Sequence, residues 1–264
     1  MSPTSSAADV AIRLPRVEHG HPGGTPVVLL HGLSDSWRSF EPVLPHLPPA
    51  IHAIAVSLRG HGTAPRPPGG YGVIQLAGDV IGLLDELGLA RAVVVGHSMG
   101  SIVAARLALD EPERVAGLVL MGAKPTFRAL DALYADIAAF PDGDVDAGWV
   151  HGFQAGTLAR PVPPGLLDVV VAESLRVPGR VWKALVEPTL RVDHSRRLHA
   201  IAAPTLVAWG DRDEIATRAD QDELLRSIPD SRLVVYPGGG HGFHWEDPAA
   251  FAADLTAFVQ GEPR

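Results

Sequence analysis

Ser98 stands in Gly96-His97-Ser98-Met99-Gly100, between the apolar run 92–95 and a stretch of helical spacing over 98–109. A serine on a tight strand-to-helix turn has its hydroxyl pushed out of the sheet. The N–H groups and positive dipole end of the following helix then face any negative charge that develops there. The hydroxyl is a weak nucleophile until a base takes its proton. Gly238-Gly239-Gly240-His241-Gly242 offers that base on a loop after the strand-like run 233–236, with His244 as the other imidazole nearby. An imidazole needs an acid to hold its tautomer. Gly210-Asp211-Arg212-Asp213-Glu214 follows the apolar run 205–209 and supplies three carboxylates, of which we take Asp213. Another of the three can cap a helix that starts near Thr217. The chain order serine, acid, histidine is one in which such a triad occurs. Two backbone donors complete the chemistry by holding an oxyanion. Met99 N–H is one, and Leu33 N–H in His31-Gly32-Leu33, just after the run 27–30, is the other.

Elements that could position these groups alternate along the chain. Runs 27–30, 51–56, 92–95, 115–121, 205–209 and 233–236 are continuously apolar, as strands buried on both faces are. Segments 73–87, 98–109 and 248–259 carry apolar residues at helical spacing. Strands alternating with helices predict a parallel sheet covered by helices. From Lys124 to Ala200 no strand is predicted. Helical patches over 129–140, 166–175 and 181–190 are separated by Pro- and Gly-rich punctuation, which suits a lid over the site. The division expected is a core of residues 1–123 and 201–264 with a helical cap over 124–200. His31, His97, Phe127, Trp149, Phe153 and Trp182 are candidates to line a substrate pocket, with loop bracing the competing role for His31 and packing for the aromatics.

Composition narrows the field. The chain has 264 residues, 46% of them hydrophobic and 20% charged, which is ample for a packed core. It has no cysteine, which excludes thiolate metal sites, disulfides and a cysteine nucleophile. A net charge of −8 without a basic patch argues against a nucleic-acid partner. The N-terminus lacks the basic start and apolar run of a signal peptide, and no apolar run approaches the ~20 residues of a membrane span. The expectation is a soluble, cytoplasmic monomer or homodimer acting on a small molecule, with no metal or cofactor.

The motifs resemble those of the α/β-hydrolase superfamily, in the branch of small bacterial esterases and cofactor-free haloperoxidase-like hydrolases. The resemblance rests on His31-Gly32-Leu33, Leu58-Arg59-Gly60-His61-Gly62, Gly96 to Gly100, Gly210 to Asp213, and Gly240-His241 through His244-Trp245-Glu246-Asp247-Pro248. It implies a mostly parallel eight-stranded α/β sheet with a helical cap between strands six and seven. It favours Asp213 over Asp211 as the acid and His241 over His244 as the base. Ser57 departs from the pattern, since relatives often carry Asp before the Arg-Gly-His-Gly turn.

The function expected is hydrolysis of a carboxylic ester of a small apolar substrate through an acyl-enzyme on Ser98. The same triad can open lactones, cleave thioesters or C–C bonds, or carry out perhydrolysis, because fold does not decide among these. A small-molecule receptor on the same fold is a further alternative. A metal hydrolase is the weakest reading: His241 and His244, and Glu18-His19-Gly20-His21, lack the helical His-Glu-x-x-His pattern.

Overall fold

The computed structural model describes residues 12–127 and 131–261. Its centre is a seven-stranded sheet. The strands are β1 (Arg16–His19), β2 (Thr25–Leu30), β3 (Ile51–Val56), β4 (Ala92–His97), β5 (Val115–Met121), β6 (Thr205–Gly210) and β7 (Ser231–Tyr236). Their order is β1-β3-β2-β4-β5-β6-β7. Only β1 is antiparallel to its neighbour; every other pairing is parallel. The expected α/β architecture is present, with a correction. Among the described residues there are seven strands rather than eight, and the helical insertion falls between the fifth and sixth. The count of eight came with the resemblance, whereas the sequence itself showed six buried runs. The additional strand, β1, is short and polar because it sits at the sheet edge, paired on one side only and partly open to solvent.

The two faces of the sheet are covered separately. Outside the insertion the helices are α1 (Val73–Glu86), α2 (Met99–Asp110), α7 (Arg218–Ser227), α8 (Phe243–Glu246) and α9 (Pro248–Val259). One core joins Val28, Leu30, Val94 and Leu118 to α1 and α2, through Val80, Leu84 and Val103. The other joins Val27, Leu29, Val95 and Val119 to α9, through Phe251 and Leu255. Alternate residues of one strand thus enter opposite cores, which explains why the central strands read as unbroken apolar runs. Full burial of such side chains contributes about 1.5–3 kcal/mol each before conformational entropy is charged against it.

Between β5 and β6 lie α3 (Asp131–Ala138), α4 (Ala147–Ala155), α5 (Leu166–Leu175) and α6 (Gly179–Leu190). The patch predicted over 129–140 begins in part outside the described residues. The sequence reading did not foresee α4, which is capped at its N-terminus by the Asp146 side chain accepting from Trp149 N–H. An isolated bridge, Thr126 to Asp193, closes the base of the insertion.

The loop after β3 is fixed by charge. Arg59 donates from Nε and Nη2 to the two carboxylate oxygens of Asp79 on α1, at 2.8 and 2.7 Å, with both side chains almost fully buried. Asp79 also accepts from Ile12 N–H. Removing one partner of a buried pair strands the other charge. Asp79→Ala should therefore lose about 3–5 kcal/mol of unfolding free energy in denaturant titrations; a loss under about 1 kcal/mol contradicts this.

Candidate active site

Ser98 connects β4 to α2 with φ 52° and ψ −117°, a backbone conformation that strains any residue bearing a Cβ. The turn is held in place. Ser98 N–H donates to Met121 O on the neighbouring strand at 2.9 Å. A Cβ on Gly96 would lie 2.3 Å from Gly100 O, and one on Gly100 2.3 Å from Leu30 O. Strand, turn and helix can approach this closely only because both flanking residues are glycine. Met99, the first residue of α2, carries one of the N–H groups that a helix leaves without an internal partner.

The other two side chains meet each other. His241 Nδ1–H donates to Asp213 Oδ2 at 2.7 Å. Asp213 Oδ1 accepts from Ile215 N–H at 2.8 Å and Ala216 N–H at 2.9 Å, so both carboxylate oxygens are occupied. Burial alone would raise the Asp213 carboxyl. The His241 charge and hydrogen bond, with the two backbone donors, outweigh it and hold the group below its usual value. The pair needs clearance: a Cβ on Gly122, at φ 53°, would stand 2.8 Å from His241 Nδ1 and 3.4 Å from Asp213 Oδ2. His241 Nε2 is buried and has no hydrogen-bond partner among the described residues. Ser98 and His241 line one cavity, together with Leu33 and Met99.

The imidazole loop is braced from the insertion. Gly242 N–H donates to Thr157 O at 2.9 Å. The buried Glu246 carboxylate accepts from the N–H groups of Ala159, Arg160 and Gly240, and from Arg160 Nε. His244 is turned elsewhere, with Nε2 3.2 Å from Ser39 Oγ. It and His241 therefore address different partners. Burial holds His244 far below the usual imidazole value, with His97 and His241 adding to the effect.

Of the pocket candidates, His97, Phe127 and Phe153 line the cavity. His31, Trp149 and Trp182 are not among its lining residues. His31 is fully buried and braces two loops, Nδ1 donating to Gly32 O and Nε2 accepting from Leu58 N–H. Trp149 stacks on Phe153 with ring centroids 5.4 Å apart, and the buried Trp182 stands edge-on to both. The two tryptophans build the insertion rather than its inner surface. Leu133, Val186, Leu190 and Ile215 make most of the remaining wall apolar.

Asp35 is a lining residue that sequence reasoning missed. It lies at 3% exposure in the loop after β2, and Gln154 of α4 donates from Nε2 to its Oδ1 at 2.8 Å. Ser34 and Ser174 share the same network. Burial pushes the Asp35 carboxyl up to about 7, against the pull of Gln154, His241 and Gly32 N–H. The signal in the sequence was an acid two residues beyond Leu33; its Gln154 partner is 119 positions away.

Comparison with known proteins places the chain in a family. The model of the alpha/beta hydrolase family matches residues 27–254. The chain belongs to that family. A relative in Variovorax paradoxus named "Putative carbamate hydrolase RutD" is 34% identical over 91% of this chain and 94% of its own. The 2-(acetamidomethylene)succinate hydrolase of Mesorhizobium japonicum is 27% identical over 90% and 89%. Among solved structures, the esterase RhEst1 from Rhodococcus superposes with a TM-score of 0.81 at 27% identity, covering 96% of this chain and all of that one. This α/β hydrolase thus resembles hydrolases over almost its whole length. Among its described residues, no helix is long and apolar enough to cross a membrane.

Between about pH 4 and pH 7 the folded protein keeps a proton on Asp35 that the unfolded chain has released. The carboxyl therefore withdraws stability as pH rises through that window. Asp35→Asn keeps an acceptor for Gln154 and does not ionise. Its unfolding free energy relative to the parent should rise by on the order of 4 kcal/mol from about pH 4 to about pH 8 in denaturant titrations. A pH-independent difference contradicts the burial argument.

Proposed function

We propose that this α/β hydrolase cleaves a carboxylic ester of a small, largely apolar substrate through an acyl-enzyme on Ser98. The observation that carries the reading is the His241 imidazole, fixed by Asp213 at one nitrogen and unpartnered at the other, in the same cavity as a serine on a strained turn. His241 Nε2 takes the Ser98 proton as Oγ attacks the acyl carbonyl. Leu33 N–H and Met99 N–H hold the tetrahedral oxyanion. His241 then protonates the leaving alcohol, and water repeats the sequence on the acyl-enzyme. Asp213 stays ionised throughout and stabilises the imidazolium.

Residues 124–200 act in this reading as a cap. Leu133, Phe153, Val186 and Leu190 lend the cavity its apolar wall, which favours an apolar acyl or aryl group and excludes water during transfer. A cysteine-free chain suits the reducing cytoplasm as its place of action. Esters are the reading carried forward; the names of the relatives extend to a carbamate hydrolase and a 2-(acetamidomethylene)succinate hydrolase.

Ser98→Ala removes the nucleophile. Turnover of a short aryl ester such as phenyl acetate should fall by about 10³-fold or more, to the level left by binding and the oxyanion donors alone. Turnover within about threefold of the parent would sink the assignment.

A further inference from the structure

His97, like His241 and His244, carries a buried ring nitrogen without a hydrogen-bond partner among the described residues. Its Nε2–H donates to the His241 carbonyl at 3.0 Å, so the hydrogen of the neutral ring is on Nε2 and Nδ1 is an acceptor only. Nδ1 is buried and has no hydrogen-bond partner among the described residues. A buried acceptor left without a donor is costly, and a ligand that brings a hydrogen removes the cost. The ring is 2% exposed, and burial with the nearby His241 charge keeps it neutral, at about 3.

A second acceptor faces the same space. A Cβ built on Gly32 would lie 3.1 Å from His97 Nδ1, 3.1 Å from Asp35 Oδ2 and 3.4 Å from Ser98 Cβ. His97 Nδ1 and Asp35 Oδ2 thus both lie against the bare Cα of Gly32, beside Ser98, and both residues line the cavity. No hydrogen bond joins the two atoms directly. The other Asp35 oxygen is tied to Gln154, which fixes the carboxyl's orientation. The surrounding wall is mostly apolar, so these atoms are a local polar feature of the cavity and not part of a general polar lining.

We propose that Asp35 and His97 Nδ1 form a hydrogen-bond-accepting subsite that selects acyl groups bearing an N–H or O–H on the atom next to the scissile carbonyl. The proposal rests on the ester-hydrolase reading above and narrows its substrate class. Because both atoms lie beside Ser98, a donor that reaches them must lie within a bond or two of the carbon under attack. Two acceptors suit a hydroxyl or amino group better than a methyl group of the same size. An ionised Asp35 accepts more strongly than a protonated one. Selectivity for the donor should therefore grow as pH rises through about 7, the value to which burial pushes this carboxyl. Of the groups facing Asp35, His241 serves every ester alike, His97 stays neutral, and Gln154 and Ser34 do not ionise.

Phenyl acetate and phenyl glycolate, which differ by one hydroxyl on the acyl carbon, provide the test. For each protein the ratio of kcat/KM for glycolate over acetate is measured from about pH 5.5 to about pH 8.5. In the parent the ratio should climb through about pH 7. In Asp35→Leu it should drop about tenfold or more, and in Asp35→Asn it should lose its pH dependence. A ratio that is flat with pH in the parent and within twofold of the parent value in a cooperatively melting Asp35→Leu overturns the subsite, and leaves a bound water as its occupant. Should Asp35→Leu fail to fold, the parent and Asp35→Asn profiles decide alone. Failure of the parent to turn over either ester overturns the ester-hydrolase reading, and the subsite falls with it. Normal ester turnover with no selectivity sinks the subsite by itself.

Discussion

The proposed chemistry depends on keeping one carboxylate charged where water cannot reach it. Asp213 is buried, and burial works against ionisation. Three hydrogen bonds reverse that balance: the His241 imidazole on one oxygen, and Ile215 N–H with Ala216 N–H on the other. With both oxygens committed, the carboxylate cannot rotate, and neither can the ring it holds. The absence of a side chain at Gly122 lets the pair sit against the end of β5. The imidazole is thereby presented with Nε2 free, and the serine turn supplies the partner group in the same cavity.

Around that pair the insertion does more than cover the site. The stretch after α4 lends Thr157 O to Gly242, while Ala159 and Arg160 hand their N–H groups to Glu246. The His241 loop is therefore tied to the insertion just after the histidine, at Gly242 and Glu246. On the opposite wall Gln154 reaches Asp35, Ser34 and Ser174. The Gln154 bonds to Ser34 and Asp35 cross between insertion and core at buried positions, where a broken hydrogen bond costs more than at the surface. An insertion held this way fixes both the His241 loop and Asp35, so pocket shape and the proposed catalytic geometry are set by the same contacts.

The sequence made some of this legible and hid the rest for physical reasons. Ser98 and His241 were readable because glycines crowd around them and apolar strands precede them; backbone strain leaves a local signature. Asp213 was one acid of three until the resemblance favoured it. The central strands were plain from their unbroken apolar runs, whereas β1, an edge strand of four half-polar residues, had no such pattern. α4 was missed because Gly148 and Gly152 dilute its helical spacing. Trp149 and Trp182 looked like pocket residues since large aromatics serve packing and ligand contact equally well. Asp35 and Gln154 were invisible as a pair, because their meeting across 119 positions is a tertiary event with no local trace.

The most direct test is covalent capture of the nucleophile. A fluorophosphonate probe reacts with a serine whose proton is taken by an oriented base, and intact-mass and peptide mass spectrometry locate the adduct. The account predicts one adduct, on Ser98, whose formation slows by about 10³-fold or more in Asp213→Asn. An unlabelled Ser98 in the folded parent, or labelling at the parent rate in Asp213→Asn, would contradict it.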